Sequence, residues 1–227
     1  GNNVGTVLLG NTVARVDAPQ ASLTLNMVLN DGGNQFGLTK EGLGTLVLGN
    51  NNLFTGGVRV NAGTLVLGGL NVSSPSPLFT GTTATIGNGG VLALLNNGAG
   101  SSGTISYGNS VSLSGGASAV GNLRIGNATG SNTANTIELS DVGLSGGQIL
   151  NLSGTNGYML RIFNLSGDTV GGAAPRVNVS AGTTVMVLEY DGDRPVNIGQ
   201  GNLKFAQEEM VSNVRAVQRC LLYTSPS

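Results

Sequence analysis

The sequence predicts an all-β solenoid, a stack of short strands wound about one axis. Three observations lead there. The string Gly44-Thr45-Leu46-Val47-Leu48-Gly49 returns unchanged as Gly63-Thr64-Leu65-Val66-Leu67-Gly68, a shift of 19 residues. That period suits a unit too small to bury an apolar face alone, which must stack on its neighbours. Glycine accounts for 39 of 227 residues and charged residues for only 9%, where usual shares are about 7% and about 25%. Hydrophobic residues make up 39% of the chain and fall in short alternating blocks, the pattern of many short strands and not of a disordered tail. At about 20 residues per coil the chain holds roughly eleven coils if the period extends throughout, and one elongated domain is the simplest count.

Strands are expected, in order, at Thr6 to Leu9, Ser22 to Leu25, Thr45 to Leu48, Val58 to Val60, Thr64 to Leu67, Val91 to Leu94 and Val111 to Leu113. Further strands are expected at Leu123 to Ile125, Thr136 to Leu139, Tyr158 to Phe163, Val177 to Val179 and Thr184 to Leu188. The two-residue period of a strand turns Leu46 and Leu48 to one face, and turns Val58 and Val60 inward around an outward Arg59. Gly56-Gly57, Asn61-Ala62-Gly63 and Gly68-Gly69 supply the corners. Ser73-Ser74-Pro75-Ser76-Pro77 reads as a loop leaving the stack, because proline cannot donate to an interior ladder. The pattern resumes from Thr83 to Leu94, with coil lengths expected to vary beyond. The solenoid is assigned to residues 1–202. From Leu203 the spacing of Met210, Val214 and Val217 fits a short helix or an irregular cap over 203–218. Asparagines recur beside glycine, as in Asn50-Asn51-Asn52 and Asn96-Asn97-Gly98. Such side chains either form ladders along the stack or simply make turns, and the sequence leaves both readings open.

The charge pattern excludes several functions. Ten basic and eleven acidic residues, spread singly for a net charge of -1, provide no basic stripe for nucleic acid. No apolar run approaches the ~20 residues of a membrane helix, and the first residues lack the basic and apolar regions of a signal peptide. Cys220 is the single cysteine and there is no histidine, which removes Ser-His-Asp and Cys-His catalysis and the usual zinc sites. Of the two lysines, Lys40 sits inside the repeat and reads as structural. Glu189, Asp191, Asp193 and Arg194 form the densest charged cluster, a calcium or acid/base patch if the strand runs on. The stronger reading is a polar turn built on Gly192 and Pro195. Asp31, Asp141 and Asp168 read as loop residues. Asn-x-Ser/Thr triplets at Asn71, Asn127, Asn151, Asn164 and Asn178 are what an Asn- and Ser-rich chain produces by chance. No catalytic, cofactor-binding or metal-ligating residue is assigned, and no cofactor is expected.

One stretch carries a more specific signal. Leu38-Thr39-Lys40-Glu41-Gly42-Leu43-Gly44-Thr45-Leu46-Val47-Leu48, followed by Asn52 to Gly68, resembles the passenger-associated transport repeat of bacterial autotransporters, also called the autotransporter-associated β-strand repeat. Leu53-Phe54 stands where that repeat tends to carry a Thr-Tyr pair. The resemblance implies a right-handed parallel β-helix in the passenger of a type V secretion system, exported to the cell surface through an outer-membrane translocator barrel encoded downstream. Arg219 to Ser227 resembles translated adapter sequence and is set aside as non-native.

Three functions are therefore weighed. The first is a non-enzymatic, surface-displayed stalk that aids export and presentation. The second is an adhesin or glycan-binding module using the loops Asn71 to Thr80 and Asn96 to Tyr107, with a host surface or glycan as partner. The third is a polysaccharide lyase or hydrolase of the same fold, which needs carboxylates converging on one face.

Overall fold

The computed structural model describes residues 6–10, 13–17, 21–68, 82–168, 173–192, 197–198 and 202–205. The loop at Ser73 to Pro77, the expected cap beyond Phe205 and the tail from Arg219 lie outside the described residues. In chain order the strands are β1 (Thr6–Leu8), β2 (Val13–Asp17), β3 (Ser22–Leu25), β4 (Val28–Asn30), β5 (Gly37–Glu41), β6 (Thr45–Leu48), β7 (Val58–Val60), β8 (Thr64–Gly68), β9 (Thr83–Ile86) and β10 (Val91–Leu95). They continue with β11 (Thr104–Ser106), β12 (Ser110–Leu113), β13 (Val120–Gly126), β14 (Thr136–Leu144), β15 (Ile149–Gly154), β16 (Met159–Gly167), β17 (Arg176–Val179), β18 (Thr184–Gly192), β19 (Asn197–Ile198) and β20 (Asn202–Phe205). No helix occurs among the described residues.

Every strand pairing is parallel. An eight-stranded sheet runs β3-β6-β8-β10-β13-β15-β17-β19, and a ten-stranded sheet follows β2-β5-β7-β9-β12-β14-β16-β18-β20 with β11 beside β14. The chain alternates between them, so each coil adds one strand to each sheet, and the molecule is a parallel β-solenoid. A short third face, β1 against β4 with a bridge from Asn30 to Leu53, closes the first coils.

The repeated hexapeptide stacks on itself in register, Thr45 on Thr64, Leu46 on Leu65 and Leu48 on Leu67. The 19-residue period is one turn of the solenoid. Its inward row reads Leu23, Leu46, Leu65, Leu92, Leu123, Leu152 and Val179. Facing it across the interior is the row Leu38, Val58, Ala84, Val111, Val142, Leu165 and Tyr190. From Leu46 to Leu123 the first row is fully buried, whereas Leu23 in the terminal rung is 41% exposed. Burial comes from the next coil, as a stack of non-autonomous units requires.

The 19-residue period does not extend throughout, and the described coils lengthen after β8. Hydrogen-bonded neighbours one rung apart are separated by 27 residues at Thr85 and Ser112 and by 29 at Asn122 and Asn151. Alternation does not single out β2, β4, β5, β11, β15, β19 or β20, and β14, β16 and β18 run to nine residues. Each of those three bends where two successive residues, such as Ser140 and Asp141, both face outward between inward Leu139 and Val142. A strict two-residue period ends there, so the sequence reading stops each strand early. Strand β20 pairs with β18, which carries the ladder to Phe205, past the Leu203 boundary.

Candidate functional surface

Lys40 lies in the inward row Lys40, Val60, Ile86 and Leu113, a position otherwise filled by aliphatic side chains. It is fully buried. Its Nζ donates to the carbonyls of Glu41 at 2.5 Å, Gly42 at 2.7 Å and Ala62 at 3.3 Å. Those carbonyls belong to the corners after β5 and β7, where no strand partner is on hand, and a buried unpaired carbonyl is costly. The ammonium therefore ties two successive corners together. Burial pushes its pKa below the ordinary lysine value, against the pull of the Asp17 and Glu41 charges. This position supports its reading as a structural residue.

Gly63 completes the same corner, with φ at +65° and Gly44 O only 2.4 Å from where a Cβ would stand. The coil below approaches so closely that glycine alone fits.

The described carboxylates are held by turns and ladders. Asp31, 1% exposed, accepts hydrogen bonds from Thr55 N and Thr55 Oγ1, both at 2.8 Å, and from Gly33 N at 2.8 Å. The Thr55 amide bond lowers its pKa most, against the opposing effect of burial. Asp168 accepts from Ser145 Oγ and Gly146 N at 3.2 Å, so its expected turn position holds. Asp141 lies within β14 and not in a loop; it accepts from Ser110 Oγ at 2.9 Å and Asn164 Nδ2 at 3.3 Å.

Glu189 and Asp191 belong to β18 itself, so this part of the expected polar turn is strand; Asp193, Arg194 and Pro195 lie outside the described residues. Glu189 stacks on Asn164, which stacks on Asp141, while Asp191 stacks on Ser166 and Gly143. Asp191 therefore has no charged residue in register in the two preceding rungs, and Glu189 meets a carboxylate only two rungs away. Among the described residues no three His, Cys, Asp or Glu side chains gather at metal-binding distance.

The loop from Asn96 to Tyr107 is anchored from inside. Asn96 and Asn97 are buried, as is Tyr107. Tyr158 Oη donates to Asn96 O at 2.8 Å, Asn135 Nδ2 donates to Asn97 O at 3.1 Å, and Tyr107 Oη donates to Leu67 O at 3.3 Å. Burial raises the Tyr107 pKa, only partly opposed by its hydrogen bond with Asn96. The exposed stretch, residues 99–104, contains only Ala, Gly, Ser and Thr. The companion loop Asn71 to Thr80 lies outside the described residues.

Both readings of the asparagines hold, at different places. Asn30 and Asn96 accept from the amides of Gly32 and Gly98, shaping turns. Asn122, Asn151 and Asn178 form a ladder on the outer face of the eight-stranded sheet. Asn178 Nδ2 donates to Asn151 Oδ1 at 2.9 Å, Asn151 Nδ2 to Asn122 Oδ1 at 3.1 Å, and Asn122 Nδ2 to Gly90 O at 3.2 Å. The ladder lines an open groove of about 590 Å³ with Ser153, Arg176 and Ser180. Composition and strand alternation alone do not reveal this surface. The recurring pairs Asn122-Leu123, Asn151-Leu152 and Asn178-Val179, each an outward Asn beside an inward aliphatic, were the signal that could have found it.

No curated protein and no solved structure matches the chain. The family model of the passenger-associated-transport-repeat matches residues 38–67, which are the two coils from β5 to β8 tied at their corners by Lys40. This chain is thus a parallel β-solenoid whose residues 38–67 are similar to the passenger-associated-transport-repeat.

Proposed function

We propose that this chain is a non-enzymatic stalk segment of an exported passenger. Its coils stack to hold other segments away from the bacterial surface, and each folded coil templates the next during passage through an outer-membrane translocator. The observation that supports this most directly is the self-stacking of the repeat, Leu46 on Leu65, inside the stretch similar to the passenger-associated-transport-repeat. A stack stabilised mainly by nearest-neighbour contacts can grow from one end as chain arrives, which suits vectorial export. The chemistry of the described side chains agrees with a structural role: Lys40 caps carbonyls, while Asp31, Asp141 and Asp168 brace turns and ladders.

The test joins two measurements on the chain fused ahead of a translocator barrel and on the chain alone. Small-angle X-ray scattering is expected to give the profile of a rod, and surface protease accessibility is expected to fall when Leu65→Ala and Leu92→Ala weaken adjacent coils. A compact scattering profile, or display unchanged by both substitutions, overturns the reading.

A further inference from the structure

Charge is segregated between the two sheets. None of the eight strands β3, β6, β8, β10, β13, β15, β17 and β19 contains Asp or Glu, whereas the ten-stranded sheet carries Asp17, Glu41, Glu138, Asp141, Glu189 and Asp191. Two arginines on the ten-stranded sheet have partners there: Arg161 pairs with Glu138, and Arg59 Nε donates to Asn61, which donates in turn to Glu41. The eight-stranded sheet has two arginines, Arg124 and Arg176, both exposed. Neither has an acidic neighbour in its own sheet.

Their placement is regular. Asn122, Asn151 and Asn178 make the central column of the outer face; Arg124 is in register with Ser153 on one side of it, and Arg176 with Ile149 on the other. The arginines thus stand at opposite corners of the three rungs β13, β15 and β17, with Asn151 between them. Two rung spacings and four residues along the strand put their Cα atoms about 16 Å apart. Each ladder amide spends one N–H on its neighbour, which leaves a second N–H and carbonyl lone-pair capacity toward the groove.

We propose that this face binds an acidic oligosaccharide laid diagonally across the three rungs. Its anionic groups sit on Arg124 and Arg176 through paired N–H donors, and its hydroxyls exchange hydrogen bonds with Asn151 and with the hydroxyls of Ser153 and Ser180. An extended acidic peptide fits less well, because β-augmentation requires a free edge and these strands are paired on both sides in the sheet. Single-stranded nucleic acid fits less well too, since no aromatic ring lines the groove for a base to stack on. The proposal goes beyond the stalk reading and does not depend on it, since binding and rod-like shape are measured separately.

The test is fluorescence polarisation with the full chain and four labelled probes of matched length: an oligogalacturonate, a sulfated oligosaccharide, a neutral oligoglucose and an oligoglutamate. Binding of either acidic sugar supports the proposal, and which one binds identifies the anion as carboxylate or sulfate. Arg124→Gln and Arg176→Gln are each expected to weaken it roughly tenfold, the worth of one charge-assisted contact. The double variant is expected to lose it, while Arg59→Gln on the opposite sheet leaves it unchanged and all variants keep the parent melting temperature. No binding of either acidic sugar, equal binding of the neutral sugar, tighter binding of the oligoglutamate, or full affinity in the double variant overturns it.

Discussion

Leu46 and Leu65 lie one directly above the other, each fully buried, in two copies of the same hexapeptide. The contact is what one turn of the solenoid contributes to the next, and it is repeated up the stack by Leu92, Leu123 and Leu152. Truncating a buried leucine removes its transfer free energy and leaves a cavity. Leu65→Ala is expected to cost about 3 kcal/mol, read as lost amide-exchange protection in β6, β8 and β10. Leu43→Ala, at a side chain 74% exposed, is expected to stay within about 0.5 kcal/mol. Equal effects of the two would show that the interior is not where the stability resides.

Lys40 tests whether corner capping matters apart from packing. Lys40→Met keeps most of the aliphatic volume and removes the bonds to Glu41, Gly42 and Ala62. A cost of about 2 kcal/mol is expected from carbonyls left without a partner, with Lys40→Ala costing more through the added cavity. Urea denaturation distinguishes them; a methionine variant as stable as the parent would show the three bonds to be idle.

The same corner sets a glycine requirement. Gly63→Ala forces a side chain into left-handed backbone and against Gly44 O, for a cost of at least about 2 kcal/mol. Gly89→Ala has a similar φ of +79° and open space around the Cβ, so only the backbone cost of about 1 kcal/mol is expected. Thermal melts of the two variants check the difference.

Asp31 gives the fold a pH dependence of defined sign. Its folded pKa lies below the value of 3.8 for a free side chain, chiefly because of the Thr55 amide bond. The carboxylate therefore stabilises the fold above that unfolded value, and the contribution is lost as pH falls through the lower folded value. Asp31→Asn is expected to lower the melting temperature at pH 7 and to converge with the parent at acidic pH. Parallel curves for parent and variant from neutral to acid pH would sink this assignment.

Within the ladder, Asn151 both donates and accepts, whereas Asn178 donates to Asn151. Asn151→Ala is expected to cost about 2 kcal/mol and Asn178→Ala about 1, at a net value near 1 kcal/mol per bond. Reversal of that order in urea titrations would mean that the amides face solvent independently.

The sequence by itself determined the architecture. A repeated Gly-Thr-Leu-Val-Leu-Gly string, glycine corners and alternating aliphatics fix a short strand with one apolar side, and the period fixes how far along the chain the next such strand returns. These are local properties, so they are legible without coordinates. What only the tertiary structure decided was how distant rungs fall into register: the corners that lengthen β14, β16 and β18, the interior place of Lys40, the stack of Asp141, Asn164 and Glu189, and the asparagine ladder between Arg124 and Arg176. Coil lengths after Gly68 are unequal, so no single period aligns Asn122 with Asn151 and Asn178. Their columns appear only when hydrophobic burial has chosen which strands lie side by side.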